Sequence, residues 1–345
     1  MENRRSGDTG VATIPDSRLP TPVIPVACGV LARPGGEVLI AQRPPGKIAA
    51  GKWEFPGGKI ELGESAAQAL ARELHEELAV EVRQARRLIR FRYAYSDRIV
   101  ILDTWLVTAF DGSPHPREQQ RFAWLRPEQL ASLDLLPTVA PIATALRLPV
   151  HYVFTQPDAS EAAIRAGLPL LPAGCLLRLR LPALTEQAYA ELAKRLLQPA
   201  RQVGIGLMLD RAPELAVRLG VAGWHASEGT VGKLGGARPV PAGIWFGASV
   251  HGAPALAKAQ QAGADFAVLG PVLPTTSHAG APALGWQGFE RLVGEFALPA
   301  YAIGGLGPAQ LETAHAHGAQ GVAGITAYWA SSSSTGRGAS SAGTT

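Results

Sequence analysis

The feature that most constrains this chain is a glycine-rich turn followed by a helix that carries three clustered glutamates. The turn is Phe55-Pro56-Gly57-Gly58, and the helical pattern runs to about residue 78. At about 100° per residue, the alanines and leucines fall on one side and the glutamates fall together on another arc. The helix can therefore bury one face and present three carboxylates in one place. They are Glu73, Glu76 and Glu77.

Carboxylates packed this densely repel one another unless a cation lies among them. Hard oxygen ligands suit Mg²⁺, and Mn²⁺ accepts the same ligand type. Ser65 is the predicted N-cap, and Arg72 lies where it can orient a glutamate by a charge-assisted hydrogen bond. The alternative is that the glutamates form an ordinary solvated face. The glycines favour the ligand interpretation, because a backbone without side chains can approach a ligand closely.

A long pattern surrounds these residues. Gly58, five residues, Glu64, seven residues and then Arg72-Glu73-Leu74-His75-Glu76-Glu77 resemble the Nudix box. The resemblance implies an α/β/α sandwich. It also implies Mg²⁺ held by Glu73, Glu76, Glu77 and the Gly57 carbonyl, with Glu73 or Glu76 closest to the attacking water and Arg72 beside them. One position departs, because the family usually has glycine where Ala79 stands.

The stretch Trp53-Glu54-Phe55-Pro56-Gly57-Gly58-Lys59-Ile60-Glu61 resembles the MutT branch of that family. Members of this branch remove oxidised purine nucleoside triphosphates such as 8-oxo-dGTP, and yield a monophosphate and pyrophosphate. Glu118 stands where a further glutamate lies near the metal; the alternative is a solvated loop charge. The residues that the resemblance places at the substrate are Arg43, Phe55, Gly58, Lys59 and position 139.

Position 139 is a second departure. The family's asparagine, which reads the oxidised guanine edge, is replaced by Val139 within Leu136-Pro137-Thr138-Val139. Valine offers no paired donor and acceptor. A polar site that reads a base edge discriminates strongly, whereas an apolar one does not. We therefore expect pyrophosphohydrolase chemistry and leave the preferred base open.

Secondary structure in the first part is predicted from alternation and turn residues. We expect a mixed sheet flanked by helices. The predicted strands are Val23–Leu31, Glu37–Gln42, Arg87–Tyr95, Ile99–Phe110 and Ala123–Leu125, with a short helix at Pro127–Ser132.

From about residue 150 the chain alternates short apolar runs with helical stretches. Repeated βα units indicate a parallel barrel or a doubly wound sheet. Glycine-rich loops after the strands favour a (β/α)₈ barrel, whose ligands bind at the strand C-termini. The predicted strands are Val150–Phe154, Gly204–Leu209, Gly223–His225, Ile244–Ser249, Phe266–Leu269, Ala300–Ile303 and Gly321–Ile325, with helices at Ala253–Gln261 and Pro308–His317.

Three strand ends resemble thiamine-phosphate synthase: residues 247–251, 263–275 and 302–306. The resemblance implies that backbone amides in two of these loops hold a phosphate, as barrel loops commonly do. The ligand would be a phosphorylated thiamine-type molecule. The implied phosphate-binding residues are Ser249, Thr275, Gly304 and Gly305.

The residues expected to perform the synthase reaction are largely replaced. Leu209-Asp210 stands for Asn-Asp, Thr230 for a metal-binding aspartate, and His278 for a lysine, while Leu177–Arg180 weakly matches an early Gln and Lys strand. We favour a barrel that has kept its phosphate loop and lost the reaction. The alternatives are a bifunctional enzyme with an active synthase, and a module that senses a phosphate ligand or acts as a scaffold. The histidines at 225, 251 and 278 are either catalytic or ordinary hydrogen-bonding groups of loops and helix ends.

The 345 residues exceed one ordinary domain. We divide them into a tail (1–22), a Nudix domain (23–149), a barrel (150–330) and a second tail (331–345), both tails being expected to be disordered. The linker at 146–149 is short, so the domains should touch. A net charge of +4 is too weak to argue for nucleic acid binding. Two cysteines fit a reducing cytoplasm, and no apolar run suggests membrane insertion or secretion.

Overall fold

The computed structural model describes residues 21–117, 120–275 and 282–329. Glu118 and His278 lie outside the described residues, as do both expected tails except for residues 21 and 22. The described chain forms two small sheets with two helices, followed by a closed barrel. The mixed α/β fold and the (β/α)₈ barrel expected from the sequence are confirmed.

The first part contains a four-stranded sheet and a three-stranded sheet. The four-stranded sheet pairs its two central strands in parallel from Val23–Ile99 to Leu31–Val107. The three-stranded sheet is antiparallel. The elements are β1 (Val23–Leu31), β2 (Val38–Gln42), β3 (Trp53–Glu54), β4 (Gly57–Lys59), α1 (Ala66–Leu78), β5 (Glu81–Ala94), β6 (Ile99–Asp111), β7 (Phe122–Leu125) and α2 (Val139–Arg147).

The strand order is β4-β1-β6-β5 in one sheet and β3-β2-β7 in the other. Strand β5 begins at Glu81, so the predicted start at Arg87 is wrong. Register shifts between Val82 and Ile89 interrupt the alternation of buried and exposed residues. Periodicity could not detect the first part of β5, because a bulge changes the face on which each side chain lies.

Helix α1 forms where the sequence predicted it. The Ser65 hydroxyl accepts a hydrogen bond from the Gln68 amide at 3.3 Å, and the Gln68 side chain accepts one from the Ser65 amide at 2.9 Å. This capping box satisfies two of the free amides of the first turn. The buried side of the helix packs on β1, close enough that a side chain at Gly29 would lie 2.7 Å from Leu74. Its buried residues are Ala69, Leu70, Leu74 and Leu78.

Helix α2 was not predicted, and its presence shows that the expected linker bounds, 146–149, are wrong. Residues 146 and 147 belong to this helix, so the connection to the barrel begins at Leu148. The helix contains Pro141 in its first turn. Proline is tolerated in the first turn, where the amide that it lacks would have no partner. The short helix at Pro127–Ser132 is present as a 3₁₀-helix.

The barrel contains eight parallel strands in one closed sheet, and the predicted strands lie within one or two residues of their observed bounds. The predicted helix at 308–317 is instead a 3₁₀ turn at Pro308–Gln310 followed by a short α-helix. The strands are β8 (His151–Phe154), β9 (Leu176–Leu179), β10 (Gly206–Leu209), β11 (Gly223–Ala226), β12 (Trp245–Val250), β13 (Phe266–Leu269), β14 (Ala300–Ala302) and β15 (Gly321–Gly324). The helices are α3 (Glu161–Gly167), α4 (Glu186–Gln202), α5 (Pro213–Leu219), α6 (Glu228–Val231), α7 (Ala253–Gln261), α8 (Gly285–Val293), α9 (Leu311–Ala316) and α10 (Thr326–Trp329).

Strand order around the barrel is β10-β11-β12-β13-β14-β15-β8-β9. Its interior is filled by aromatic side chains, with Tyr152, Phe266 and Tyr301 fully buried and in mutual ring contact. Such filling makes a barrel a packed core rather than a channel. Across the described ranges, no helix has both the length and the apolar character that a membrane span needs.

The two parts are in direct contact through charged groups. Arg87 of β5 donates to Asp103 at 3.1 Å, to Glu290 of α8 at 3.1 Å and to the Ala316 carbonyl of α9 at 3.1 Å. His317 lies 3.1 Å from the other Glu290 oxygen. The barrel helices therefore cover β5, which is an edge strand, and an uncovered edge invites pairing with other chains.

Candidate active site

The glycine turn is built for close approach. At Gly57 φ is +142°, and a side chain there would lie 2.3 Å from the Ala27 carbonyl oxygen. At Gly58 a side chain would lie 2.2 Å from a carboxylate oxygen of Glu73. Gly57 meets backbone atoms and has a φ that favours glycine, whereas a side chain at Gly58 would displace the Glu73 carboxylate. The two glycines thus allow a carboxylate of α1 to lie directly against the backbone of β4.

Arg72 gathers the carboxylates beside this turn. Its guanidinium donates to both oxygens of Glu64 at 3.0 and 2.9 Å, to Glu73 at 2.8 Å and to Glu76 at 3.4 Å. It also donates to the Lys59 carbonyl at 3.0 Å. The hydrogen bond from Arg72 lowers the pKa of Glu64, and the same contacts raise the pKa of Arg72 above its usual value. One cation therefore holds three carboxylates, and the site keeps an excess of negative charge.

Glu77 completes the group from the other side of the turn. Its carboxylate accepts a hydrogen bond from the Gly57 amide at 3.1 Å. The structure thus brings together Gly57, Arg72, Glu73, Glu76 and Glu77. Among the described residues no three acidic, histidine or cysteine side chains are already arranged as a metal cage. Carboxylates with a nearby backbone carbonyl nevertheless match the oxygen ligands that Mg²⁺ takes.

Arg43, predicted at the substrate, is held in place by neighbours. Its Nη1 lies 2.5 Å from Glu54, and its Nε donates to the Ile48 carbonyl at 2.7 Å. Burial raises the pKa of Glu54, and the Arg43 charge opposes that shift. No role was predicted for Glu54. The signal was present, since a glutamate between Trp53 and Phe55 on a half-buried strand needs a cationic partner.

Phe55 and Val139 lie in the same hydrophobic cluster, with 4% and 1% of their surface exposed. Lys59 is exposed at the end of β4. The segment before α2 is bonded to the strand that leads into the glycine turn. The Trp53 amide donates to the Asp134 carbonyl at 2.9 Å, and the Leu136 amide donates to the Trp53 carbonyl at 3.0 Å. The start of α2 is therefore fixed relative to the candidate metal site.

At the barrel mouth, a chain of hydrogen bonds ends on Ser249 at the C-terminal part of β12. His225 Nε2 lies 2.8 Å from the Ser249 hydroxyl, and His225 Nδ1 lies 3.0 Å from the Tyr152 hydroxyl. Burial lowers the pKa of His225 well below its usual value, so its imidazole is neutral. His225 lies in β11, within the strand predicted at residues 223–225, and is fully buried.

The two predicted phosphate loops lie side by side. The Val272 amide donates to the Ile303 carbonyl at 2.8 Å, and the Leu273 amide to the Gly304 carbonyl at 3.3 Å. Gly304 and Gly305 have φ of +109° and +65°, which favour glycine. The loop that ends at Thr275 thus contacts the Gly-Gly loop, as a shared binding site requires.

Asp210, the aspartate kept from the family's metal position, is fully occupied by protein groups. Arg178 contacts one of its oxygens at 3.2 and 3.1 Å through Nε and Nη2. The Tyr189 hydroxyl donates to the other oxygen at 3.1 Å. Both side chains of the ion pair are largely buried. Both oxygens of Asp210 are therefore already in contact with protein groups.

Two families match the two parts of the chain. The NUDIX domain family matches residues 27–145, and the thiamine monophosphate synthase family matches residues 152–328. The chain is 38% identical to the CTP pyrophosphohydrolase of Escherichia coli K12 over 123 residues, which are 36% of this chain and 90% of that protein. It is 34% identical to the 8-oxo-dGTP diphosphatase of the same organism over 122 residues, which are 35% of this chain and 95% of that protein.

The barrel also has a relative. A putative thiamine-phosphate synthase of Geobacter sulfurreducens is 32% identical over 152 residues, which are 44% of this chain and 71% of that protein. The chain belongs to both families. It is a fusion of a Nudix hydrolase with a thiamine monophosphate synthase-type barrel.

Within the Nudix part, Ala79 takes the place of the family's glycine in a left-handed conformation, with φ of +56°. That conformation favours glycine and costs other residues about 1 kcal/mol. The end of α1 is therefore slightly strained in this fusion protein. Its backbone amide still contacts the His75 carbonyl at 3.0 Å, so the helix ends as the box predicts.

Proposed function

We propose that the Nudix domain, residues 23–149, hydrolyses nucleoside triphosphates to a monophosphate and pyrophosphate with Mg²⁺. The observation that carries this proposal is the gathering of Glu64, Glu73 and Glu76 by Arg72 beside the Gly57-Gly58 turn. A site with three carboxylates and one guanidinium attracts a divalent cation. Cleavage of a triphosphate requires a cation that neutralises the negative charge of the phosphates.

The ion would be held by Glu73, Glu76, Glu77 and the Gly57 carbonyl. When bound, it supplies charge neutralisation for the phosphates and a lower pKa for the attacking water. The residues of this chain supply the rest. Arg72 fixes the direction of Glu73 through their 2.8 Å contact, which leaves the second Glu73 oxygen free to accept a proton. Manganese, with the same ligand preference, should replace magnesium.

Fewer residues indicate which base is preferred than indicate the reaction. Val139 and Phe55 are buried in one hydrophobic cluster, so neither offers the site a polar group that could read a base edge. We take 8-oxo-dGTP as the first candidate substrate. CTP is the second, because the CTP pyrophosphohydrolase matches over the same region of the chain.

The test is pyrophosphate release by the full chain with Mg²⁺ and a panel of 8-oxo-dGTP, dGTP, CTP, ADP-ribose and thiamine pyrophosphate. The proposal predicts turnover of a triphosphate and release of pyrophosphate. Release of inorganic phosphate, or a preference for thiamine pyrophosphate, would contradict it. The Glu77→Gln variant is the control for contaminating hydrolases.

For the barrel, residues 150–330, we propose a phosphate-binding module without synthase activity. This rests on the paired loops at 272–275 and 303–305, and on the engagement of Asp210 by Arg178 and Tyr189. Thiamine phosphate should raise the melting temperature of the full chain without being formed or consumed. Formation of thiamine phosphate from the two synthase substrates would favour the bifunctional alternative.

A further inference from the structure

The last helix of the Nudix domain is capped by a residue of the barrel. Helix α2 ends at Arg147, and the final carbonyls of a helix have no partner within it. The Ala145 carbonyl would normally accept a hydrogen bond from the amide of residue 149. Residue 149 is proline, which has no amide hydrogen, and the backbone of Leu148 is already extended. The end of α2 therefore needs a donor from elsewhere.

Gln320 of the barrel is that donor. Its Nε2 lies 3.0 Å from the Ala145 carbonyl and 3.0 Å from the Leu148 carbonyl. The residue is 3% exposed, and its side-chain oxygen accepts no hydrogen bond within the described chain. The side-chain hydrogen bonding of Gln320 is thus directed at α2. Unpaired buried carbonyls would be costly, so this contact holds the helix end in one position.

Further contacts hold the C-terminal end of α2 against residues of the barrel interior. Leu148 is 5% exposed and belongs to the hydrophobic cluster that includes Tyr152, Phe266 and Tyr301. The Tyr301 hydroxyl donates to the Pro149 carbonyl at 2.5 Å. The hydrophobic cluster inside the barrel therefore includes Leu148, the residue that directly follows α2.

The other end of α2 is joined to the strand that precedes the glycine turn. Val139 begins the helix, and the segment just before it is hydrogen-bonded to Trp53 of β3. Strand β3 leads directly into the glycine turn. A nine-residue helix is about 13 Å long and stiff, so fixing one end fixes the other.

We propose that Gln320 is a positioning residue for the Nudix reaction: from the barrel it holds α2 and, through the hydrogen bonds of residues 134–136 to Trp53, strand β3. Glu54 of that strand contacts Arg43, the residue predicted at the substrate. The inference rests on the proposed function for the identity of the nucleotide site. It gives the barrel a role in nucleotide binding that requires no barrel ligand. The metal-binding carboxylates lie on α1, so the chemical step should be little affected.

The experiment compares Gln320→Met, which keeps the volume and removes both donors, with Gln261→Met on the exposed face of α7. Each is assayed in the full chain for kcat and KM with Mg²⁺ and 8-oxo-dGTP or CTP. Gln320→Met should raise KM about fivefold or more and change kcat less than twofold, as loss of buried hydrogen bonds implies. Gln320→Asn keeps an amide that is one methylene shorter, and should give a smaller rise. Gln261→Met should match the wild type.

Hydrogen exchange gives a readout that does not depend on turnover. Amides of residues 134–148 should exchange faster in Gln320→Met, while those of α1 stay unchanged. Unchanged KM together with unchanged exchange would overturn the inference, as would an equal fall in kcat for both substrates at constant KM. If Gln320→Met does not fold, Gln320→Asn decides by the same two criteria. If the wild type turns over no triphosphate, the proposed function fails, and the exchange data alone decide whether Gln320 holds α2.

Discussion

Each half of the molecule contains an arginine that contacts carboxylates at its site, and the two arrangements have opposite consequences. Arg72 contacts Glu64, Glu73 and Glu76, so carboxylates outnumber the guanidinium three to one. Arg178 and Asp210 are paired one to one and largely buried, with Tyr189 on the remaining oxygen. An excess of carboxylates leaves acceptors that a cation can use. A buried one-to-one pair has no surplus negative charge to attract a cation.

The comparison predicts a different response to loss of charge in each half. In the Nudix half, Glu77→Gln should abolish Mg²⁺-dependent pyrophosphate release, by at least about a hundredfold, because it removes a charged ligand. The melting temperature should be almost unchanged, since surplus carboxylates repel one another. Undiminished activity in this variant would remove the metal-site assignment.

In the barrel half, the same kind of change should act on stability. Arg178→Met leaves Asp210 buried and unpaired, and should cost about 3 kcal/mol in the free energy of unfolding. Urea unfolding followed by the barrel tryptophans measures this. The double variant Arg178→Met/Asp210→Leu should recover much of the loss. A double variant no more stable than the single one would show that the pair is not the cause.

Histidine 225 extends the comparison to pH. Burial lowers its pKa in the folded state, whereas in the unfolded chain the pKa is about 6.5. As pH falls, the unfolded chain therefore takes up the proton before the folded protein does. The contribution of His225 to the free energy of unfolding is thus present above pH 6.5 and is lost as pH falls below it. Over this range the free energy of unfolding should fall by about 1.4 kcal/mol per pH unit. His225→Asn should remove that part of the slope between pH 6.5 and 5. Parallel curves for the two proteins would contradict the neutral, buried imidazole.

The smallest expected effect concerns the helix that carries the carboxylates. Ala79→Gly relieves a left-handed backbone and should stabilise the Nudix part by up to about 1 kcal/mol. Ala69→Gly within the same helix should destabilise it by about 1 kcal/mol or more, which makes it the opposite control. Melting temperatures measure both. A destabilised Ala79→Gly would show that the observed φ of this residue carries no strain.

The sequence predicted the elements whose pattern is local. The capping residues of α1, the spacing of its leucines and the alternation of the barrel strands each depend on near neighbours, so they could be recognised. The start of β5 was missed because bulges shift its faces, and no helix was predicted at α2, which contains a proline in its first turn. Within the site, Arg72 was anticipated from its helical position beside the acidic arc. The Glu54–Arg43 and Arg178–Asp210 pairs were not, since each joins residues from different strands or loops.

The sequence by itself determined the chemistry near the glycine turn, because three carboxylates, two glycines and an arginine lie within one turn and one helix. Helix geometry by itself brings Arg72 close to Glu73 and Glu76, which lie within four residues of it. Only the tertiary structure decided the rest. It showed that Asp210 is occupied by Arg178 and Tyr189, that His225 is buried between Tyr152 and Ser249, and that Gln320 caps α2. These contacts join residues far apart in sequence, and their partners are set by how the strands close and how the two parts pack.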